Sequence, residues 1–215
     1  MTAKPAITLW FREIDGAWYG LAESGERLAA TATGASREEA ARILEACLPP
    51  GIPRAAGEGP SSFADGTARM LAAIESGDES GKRFELATEI LREPAATVYR
   101  FVAAIPLGYV SSYGRVAVAA GTIAREVGRL MMNNPLYPIV PCHRVVGADF
   151  SLVGYRGATS GPDLDSKLAR LRTEACGFRA ELELAAAGGL VVFPAERVLE
   201  KTAREDRDAG QLALF

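Results

Sequence analysis

Histidine and cysteine are scarce in this sequence, which has one histidine and three cysteines among its 215 residues. Cys47, Cys142 and Cys176 are odd in number and far apart, which argues against a disulfide framework and favours a reducing compartment. A structural zinc site needs four ligands, and a chain with one imidazole and no C-x-x-C pair supplies them poorly. We therefore expect an intracellular protein without a metal site.

Long apolar runs and a strong net charge are also missing. No stretch approaches the roughly 18 uncharged apolar residues of a membrane span, and the first residues lack the apolar core of a signal peptide. The net charge of −3 gives no global sign of nucleic-acid binding. Between Arg100 and Arg156, however, six arginines accompany only two acidic residues, Glu126 and Asp149. This local excess predicts either a solvated basic face or a patch that faces phosphates.

The first half of the chain combines strand and helix patterns. Two alternating runs flank Asp15-Gly16, which predicts a β-hairpin. Ser36 is followed three residues later by Glu39, which predicts a capping box that opens a helix ending before Pro49. The proline- and glycine-rich residues 49–62 are predicted to form a loop, and residues 64–76 a helix.

The second half is predicted to be mostly helical. A helix with proline in its first turn is expected between residues 93 and 106. The apolar run at residues 137–141 is strand-like, as are two runs after Gly177. A charged run at residues 201–208 then precedes the end of the sequence.

Residues 108–134 predict two short helices joined by a tight turn at Gly121. Ser111 or Ser112 can cap the first helix, and the second is expected over residues 123–132. This is the helix-turn-helix pattern, although many helical hairpins bind nothing. On the second helix Arg125 and Arg129 share one face because they are four residues apart. The opposite face is predicted to be apolar and consists of Ile123, Val127, Leu130 and Met131.

Cys142 directly precedes His143, the only histidine, in the stretch IVPCHRVV. These residues alone leave three interpretations open: a buried filler, a metal ligand or a nucleophile. A nucleophilic cysteine reacts as its thiolate, so its pKa of about 8.5 must be lowered or its proton removed. His143 can take that proton directly or through a water, and Arg144 adds positive potential nearby. The imidazolium formed in this way needs a carboxylate to orient and stabilise it.

The order of the motifs around Cys142 resembles the O6-alkylguanine-DNA alkyltransferases, also called methylated-DNA–protein-cysteine methyltransferases. PCHRV is followed by GYRG and preceded by IPLG, SYG, R-x-V-G and N-P, all in the family's order across about residues 94–178. The resemblance implies an α+β fold with a small N-terminal α/β domain (ribonuclease H-like) and a mostly helical C-terminal domain with a helix-turn-helix. The expected division is an N-terminal domain at 1–88, a catalytic and DNA-binding domain at 89–178, and an extension and tail at 179–215.

The resemblance also implies roles for individual residues. Cys142 matches the acceptor of the alkyl group, His143 the water-bridged base and Glu174 its carboxylate partner. Asn134 matches the asparagine that braces the turn before the active-site segment. Tyr113 matches the tyrosine that helps to rotate the nucleotide and lines the base pocket.

On the DNA side, Arg125 resembles the arginine finger that fills the space vacated by a flipped base. Arg115 and Arg129 are expected on the same DNA-binding surface, which the family docks in the minor groove. The guanine would be bound in a base pocket formed by Val145, Tyr155, Arg156 and Gly157. Two departures from the family bear on docking: the turn before Arg125 is shorter, and Glu126 replaces a small alanine.

The implied function is irreversible, single-turnover transfer of an alkyl group from O6-alkylguanine in duplex DNA to Cys142. The expected partner is double-stranded DNA that contains O6-methylguanine, and the expected protein is a cytoplasmic, nucleoid-associated monomer without a cofactor or a membrane partner. The alternative is a non-catalytic, alkyltransferase-like damage sensor, a class that lacks the acceptor cysteine. A helix-turn-helix regulator is the third possibility.

The last five residues, QLALF, resemble the pentapeptide by which bacterial repair proteins dock on the sliding clamp. The charged run before them is interpreted as a tether for an extended peptide. The residues expected to contact the clamp are Gln211, Leu212, Leu214 and Phe215.

Overall fold

The structure is a computed structural model that describes residues 6–154 and 160–212, with side chains at the carboxyl end described as far as residue 207. Helices and strands are mixed, and the backbone divides into two compact units. One unit holds the residues up to Ala96 together with residues 134–140, and the other holds residues 97–133 and those from Pro141 onward. The segment 179–212 is therefore part of the second unit. The functional division at residues 88 and 178 stays a prediction.

The first unit is built on one sheet. Its elements are β1 (Ile7–Ile14), β2 (Ala17–Glu23), β3 (Leu28–Gly34), α1 (Arg37–Cys47), β4 (Arg54–Ala56), α2 (Ser62–Glu75) and α3 (Thr88–Leu91). The sheet order is β3-β2-β1-β4, with β1 and β2 antiparallel and β4 parallel to β1. Buried residues of α1, such as Leu44, pack with Ile7 and Ala30 of the sheet to form the core.

The predicted hairpin and the first helix are confirmed. Asp15 and Gly16 have φ values of 51° and 81°, the left-handed pair that a tight hairpin between twisted strands requires. Ser36 Oγ accepts a hydrogen bond from the Glu39 N–H at 3.2 Å. The reciprocal bond of the capping box is shifted by one residue, because the Glu39 carboxylate accepts from the Ala35 N–H at 2.8 Å.

One sequence prediction for this unit is only partly correct, and another is wrong. The predicted loop at 49–62 contains β4, a three-residue strand whose exposed side chains give no apolar alternation and which forms because β1 has an open edge. Residues 137–141 are turns and irregular backbone rather than a strand. The Tyr137 carbonyl accepts from the Thr31 hydroxyl of β3, and the Val140 carbonyl accepts from the Asn134 amide, both at 2.7 Å.

The second unit contains the remaining elements. They are most of α4 (Ala95–Ala103), β5 (Tyr109–Ser112), α5 (Tyr113–Ala119), α6 (Ala124–Met132), β6 (Val145–Val146), α7 (Pro162–Glu174), β7 (Leu182–Leu184), β8 (Leu190–Pro194) and α8 (Glu196–Leu212). A single 3-10 turn, Cys142–Arg144, directly precedes β6. The sheet order is β6-β5-β8-β7, and β5 runs parallel to β6 and antiparallel to β8. Val110, Val146, Leu171 and Val198 are buried together and link this sheet to α7 and α8.

The charged run at residues 201–208, interpreted from the sequence as a tether, is helical. These residues lie within α8, whose buried Val198 and partly buried Leu199 pack on the core of the second unit. The charged run lies on the exposed part of an amphipathic helix. Charge alone does not distinguish such a helix face from a linker. Within the described ranges, no helix combines the length and the apolar composition needed to span a membrane.

Candidate active site

Cys142 begins the 3-10 turn that leads into β6, and its side chain is 5% exposed. The turn places His143 and Arg144 in the interior beside it, since both are less than 5% exposed. Such burial of an imidazole and a guanidinium is costly unless both groups find partners. The geometry of the site therefore depends on the groups that form hydrogen bonds with this imidazole and this guanidinium.

Glu174, the last residue of α7, contacts both side chains. Its Oε1 lies 2.7 Å from His143 Nε2 and accepts a hydrogen bond from Arg144 at 2.9 Å, while Oε2 accepts from Arg144 Nε at 2.7 Å. Arg144 also donates to the Ile105 carbonyl at 2.8 Å. The structure thus brings His143 and Glu174 together and adds Arg144 as a second, bidentate partner of the carboxylate.

The electrostatics of this pair favour a neutral histidine beside a charged glutamate. Burial lowers the pKa of His143 below its usual range, and the hydrogen bond and charge of Glu174 only partly oppose that effect. Burial alone would raise the pKa of Glu174, but hydrogen bonds and charges from His143 and Arg144 lower it to about 2. A neutral imidazole that donates from Nε2 to the carboxylate has Nδ1 as its proton acceptor.

Lys167 of α7 is a functional candidate that the sequence analysis did not identify as one. Its side chain is fully buried, and Nζ donates to the Val145 carbonyl at 2.7 Å and to the Gly154 carbonyl at 3.3 Å. Burial lowers the pKa of Lys167 to about 8, and the negative charge of Cys142 acts in the opposite direction. An ammonium group within electrostatic reach of the Cys142 sulfur stabilises a thiolate. No local sequence signal distinguishes this lysine, because its burial depends on how α7 packs.

Tyr113 closes another side of this region. Its ring centroid is 5.9 Å from Lys167 Nζ, and its hydroxyl donates to the Gly154 carbonyl at 3.0 Å. Burial and the charge of Cys142 raise the pKa of Tyr113 to about 12, so the phenol keeps its proton. Tyr113 therefore remains a hydrogen-bond donor, and its hydroxyl is engaged by the Gly154 carbonyl.

Two further predicted site residues lie in defined positions. Val145 is fully buried in β6, beside Ser111 of β5. Asn134 belongs to the first unit, where its amide donates to the Val140 carbonyl at 2.7 Å and its carbonyl accepts from the Leu136 N–H at 3.0 Å. Both bonds fix the chain segment that directly precedes Pro141. Tyr155, Arg156 and Gly157 lie outside the described residues.

The predicted arginines lie on α5 and α6. Ser112 caps α5 by accepting from the Arg115 N–H at 3.2 Å, and Gly121 forms the turn to α6 with φ 64°. Arg115, Arg125 and Arg129 are exposed. Arg129 makes a bidentate ion pair with Glu126, through bonds of 2.9 and 2.5 Å.

The apolar face predicted for α6 is only partly correct. Val127, Leu130 and Met131 are buried, but Ile123 is 66% exposed. Ile123 has extended backbone angles and occupies the N-cap position, so the helical periodicity that was used to place it on the apolar face does not apply.

Among the proposed clamp-binding residues, Leu214 and Phe215 lie outside the described residues. Gln211 and Leu212 form the end of α8. Within the described ranges, no group of histidine, cysteine and carboxylate side chains is arranged to hold a metal ion.

A buried cysteine beside a histidine–carboxylate pair and a lysine defines a class of site in which a thiol acts as a nucleophile. Residues 93–176 match the sequence model of the 6-O-methylguanine DNA methyltransferase DNA-binding domain. This segment contains α5, α6, the 3-10 turn and α7, and hence the cysteine with its described neighbours.

Curated relatives place the chain more closely. A methylated-DNA–protein-cysteine methyltransferase of Pyrobaculum aerophilum is 47% identical over 79 residues, which cover 37% of this chain and 51% of that protein. One of Mycolicibacterium paratuberculosis is 36% identical over 132 residues, which cover 59% of this chain and 74% of that protein. The chain belongs to the methylated-DNA–protein-cysteine methyltransferase family. Its match spans about half the length of the first of these relatives.

The fold agrees with a solved member of the family. The crystal structure of the O6-methylguanine-DNA methyltransferase from the hyperthermophilic archaeon Pyrococcus kodakaraensis aligns with a TM-score of 0.50 at 24% identity. The alignment covers 79% of this chain and 99% of that one. This comparison supports the fold and carries no information about the reaction.

Proposed function

We propose that this protein repairs DNA by transferring the alkyl group of O6-alkylguanine to its own Cys142. The observation that carries the proposal is the 2.7 Å contact between His143 and Glu174 directly beside a buried cysteine. A hydrogen-bonded carboxylate and imidazole form the relay that converts a thiol into a nucleophile.

The proposed reaction is a direct displacement at the alkyl carbon. His143 takes the thiol proton through Nδ1, either directly or through a water, and Glu174 stabilises the imidazolium that forms. The sulfur then forms a bond to the methyl carbon while the carbon–O6 bond breaks. The electron pair of the broken bond stays on the guanine. The guanine takes up one proton, which offsets the proton that the thiol has lost. Lys167 holds the thiolate through its positive charge before the attack.

The thioether product makes the reaction single-turnover. A carbon–sulfur thioether bond is not cleaved by the histidine–glutamate pair, because neither group can reverse the displacement once guanine has left. The proposed reaction balances with the thiol and the alkylated base alone and therefore requires no cofactor.

DNA recognition is assigned to α5 and α6, which we interpret as a helix-turn-helix. An O6 substituent is inaccessible within a duplex, so the nucleotide must be rotated out of the stack. The two helices are proposed to dock in the minor groove. Arg125 is proposed as the arginine finger that fills the vacated space, and Arg115 and Arg129 are proposed to lie close to phosphates. Tyr113 is proposed to assist rotation, and Asn134 to brace the segment before Cys142. The proposed base pocket consists of Val145, Tyr155, Arg156 and Gly157.

Assignments of domains, oligomeric state and location accompany this proposal. The N-terminal domain, residues 1–88, is proposed to be ribonuclease H-like, and residues 89–178 to form the catalytic and DNA-binding domain. The protein is proposed to act as a monomer, in the cytoplasm and on the nucleoid. A monomer is sufficient because every described group of the proposed reaction comes from one chain.

Transfer of labelled methyl groups tests the function. Duplex DNA with a labelled O6-methylguanine should label the protein up to about one equivalent, and Cys142→Ser should remain unlabelled. Cys176→Ser is a matched control because Cys176 is an exposed free thiol of the same unit, and it should be labelled like the unsubstituted protein. Label on Cys142→Ser, or turnover beyond one equivalent, would contradict the proposal. DNA binding without any transfer would instead support the damage-sensing alternative.

The sliding clamp is a second proposed partner, through QLALF. Because Gln211 and Leu212 end α8, binding as an extended peptide requires the last turn of that helix to unwind. Purified clamp should retain the full chain and release a variant that lacks residues 211–215. Equal retention of both proteins would exclude this partner.

A further inference from the structure

Val118 and Ile123 are unusual among the apolar residues of the second unit. Among the residues that the structure describes, these two expose the largest fractions of any large apolar side chain, 81% and 66%. Single exposed apolar residues are common and need no explanation. Two of them at one turn between two helices of a proposed DNA-binding motif suggest a contact that forms only with a partner.

The turn that carries these residues has a fixed backbone. The Gly121 N–H donates to the Val118 carbonyl at 3.2 Å, and the Thr122 N–H donates to the Ala117 carbonyl at 2.9 Å. Gly121 has φ 64°, a conformation that favours glycine. The two apolar side chains are thus held on the outside by an ordered turn.

Ile123 also occupies a position where an apolar residue does not stabilise the fold. It is the N-cap of α6 and makes no side-chain capping bond. Serine, threonine, asparagine or aspartate at an N-cap stabilises a helix more than an apolar residue does, because the side-chain oxygen accepts from a free backbone N–H of the first turn. The neighbouring helix α5 has such a cap, Ser112. An exposed isoleucine at an N-cap position is better explained by binding than by folding.

The surroundings of this pair indicate what binds. Arg115, Arg125 and Arg129 are exposed on the same two helices and would attract phosphates. Proteins that bind the minor groove combine such cations with apolar wedges, isoleucine among them, which part a base step and bend the duplex. Charge and apolar surface together therefore fit duplex DNA.

We propose that Ile123 is an apolar wedge that enters the minor groove and parts the base step next to the target nucleotide. Val118, across the turn, packs against a deoxyribose of the same site. The proposal rests on the proposed function in that it takes DNA as the partner of α5 and α6. It assigns to Ile123 the unstacking that must precede rotation of the guanine.

Base unstacking can be measured without alkyl transfer. In a Cys142→Ser background, a duplex with O6-methylguanine next to 2-aminopurine should gain fluorescence on binding, because 2-aminopurine is quenched when stacked. Adding Ile123→Ser should remove most of this gain and weaken binding on the order of tenfold. Serine can cap α6, so this variant should unfold at an unchanged or higher temperature than its parent.

Phe178→Ser is the matched control, since Phe178 is 62% exposed in the same unit but lies outside α5 and α6. This control should bind and unstack the duplex like its parent. With Cys142 present, Ile123→Ser should slow transfer from the duplex on the order of tenfold but leave transfer from the free O6-methylguanine base unchanged.

Several outcomes would overturn the wedge. The wedge is excluded if Ile123→Ser keeps the fluorescence gain and affinity of its parent, or if Phe178→Ser loses as much of both. It is also excluded if Ile123→Ser slows transfer from the free base as much as transfer from the duplex, or if the parent protein does not bind the duplex. If the Cys142→Ser protein unstacks the duplex through Ile123 but the unsubstituted protein never alkylates Cys142, the proposed transfer is refuted and the wedge remains supported.

Discussion

At the scale of single residues, Glu174 is the group on which the site depends most. One carboxylate at the end of α7 accepts hydrogen bonds from both His143 and Arg144. Removing one partner of a buried ion pair typically costs several kcal/mol, because the other charge is left in a medium of low dielectric. Glu174 therefore stabilises the fold, and in the proposed reaction it orients His143 as a base.

The pKa of Glu174 predicts how stability depends on pH. This pKa is about 2 in the folded chain, against an ordinary value of 4.5, so the carboxylate contributes stability that is present above pH 4.5 and lost as the pH falls towards 2. The lost contribution is about 3 kcal/mol. Urea unfolding between pH 6 and 2.5 should show this slope in the wild type, and Glu174→Gln should be less stable at neutral pH and lack it. A variant with the wild-type slope would contradict the assignment.

Lys167 predicts a pH dependence of the reaction itself. Its pKa is about 8, so the ammonium is lost as the pH rises through that value, and the thiolate then loses its cationic neighbour. We expect the single-turnover rate to decline above pH 8 in the wild type. Lys167→Met should react more slowly at neutral pH and show no such decline.

Lys201→Met serves as the control for this comparison. Lys201 lies on α8, where its partners are the carboxylates of Asp149 and Glu205, and the substitution removes the same charge. It should retain the wild-type rate and pH profile. A basic decline that persists in Lys167→Met would show that another group titrates.

At the scale of elements, α6 carries arginines that would attract DNA together with a carboxylate that competes for one of them. Glu126 and Arg129 form a bidentate pair one turn apart, so the guanidinium is engaged by a carboxylate on the surface proposed to meet DNA. Such exposed pairs contribute little to stability, but a phosphate must compete with Glu126 for Arg129. Glu126 is thus expected to weaken DNA binding.

Glu126→Gln should raise the affinity for duplex DNA and steepen its salt dependence. Each additional phosphate contact adds about 0.9 to the slope of log K against log salt. Titrations at several salt concentrations measure both effects. Glu200→Gln makes the same charge change at an exposed position of α8 and should leave the slope unchanged. Identical slopes in both variants would show that Glu126 does not restrain Arg129.

Local sequence signals predicted the elements that local interactions determine. Asp15-Gly16 and the Ser36 cap were sufficient for the hairpin and α1, because turn and capping preferences act within a few residues. β4 was missed because its formation depends on β1, far away in the chain. α8 was misread because a few buried residues, Val198 among them, determine its packing while its charges dominate the sequence.

At the scale of the whole molecule, the site joins residues that are distant in sequence. Cys142 and His143 are adjacent, but Lys167 and Glu174 come from α7, and no spacing rule derived from physical chemistry brings them together. The family resemblance supplied Glu174. It did not supply the bidentate bond of Arg144 or the burial of Lys167, which depend on how α7 packs against the sheet.

Alkylation is predicted to weaken the fold. A methyl group on Cys142 must fit at a position that is only 5% exposed. Overpacking of this kind typically costs 1–3 kcal/mol. Thermal unfolding of the methylated and unmethylated protein should show a lower midpoint for the former. Equal midpoints would mean that the site has room for the added group.

The most direct test of the central claim is mass spectrometry of the protein after exposure to duplex DNA with O6-methylguanine. We predict a mass increase equal to one CH2 group, one per protein molecule, located on the peptide that contains Cys142. The increase should be absent with unmodified DNA and in Cys142→Ser. An unmodified Cys142 peptide after complete mixing with methylated DNA, or the added mass on Cys47 or Cys176, would contradict the account.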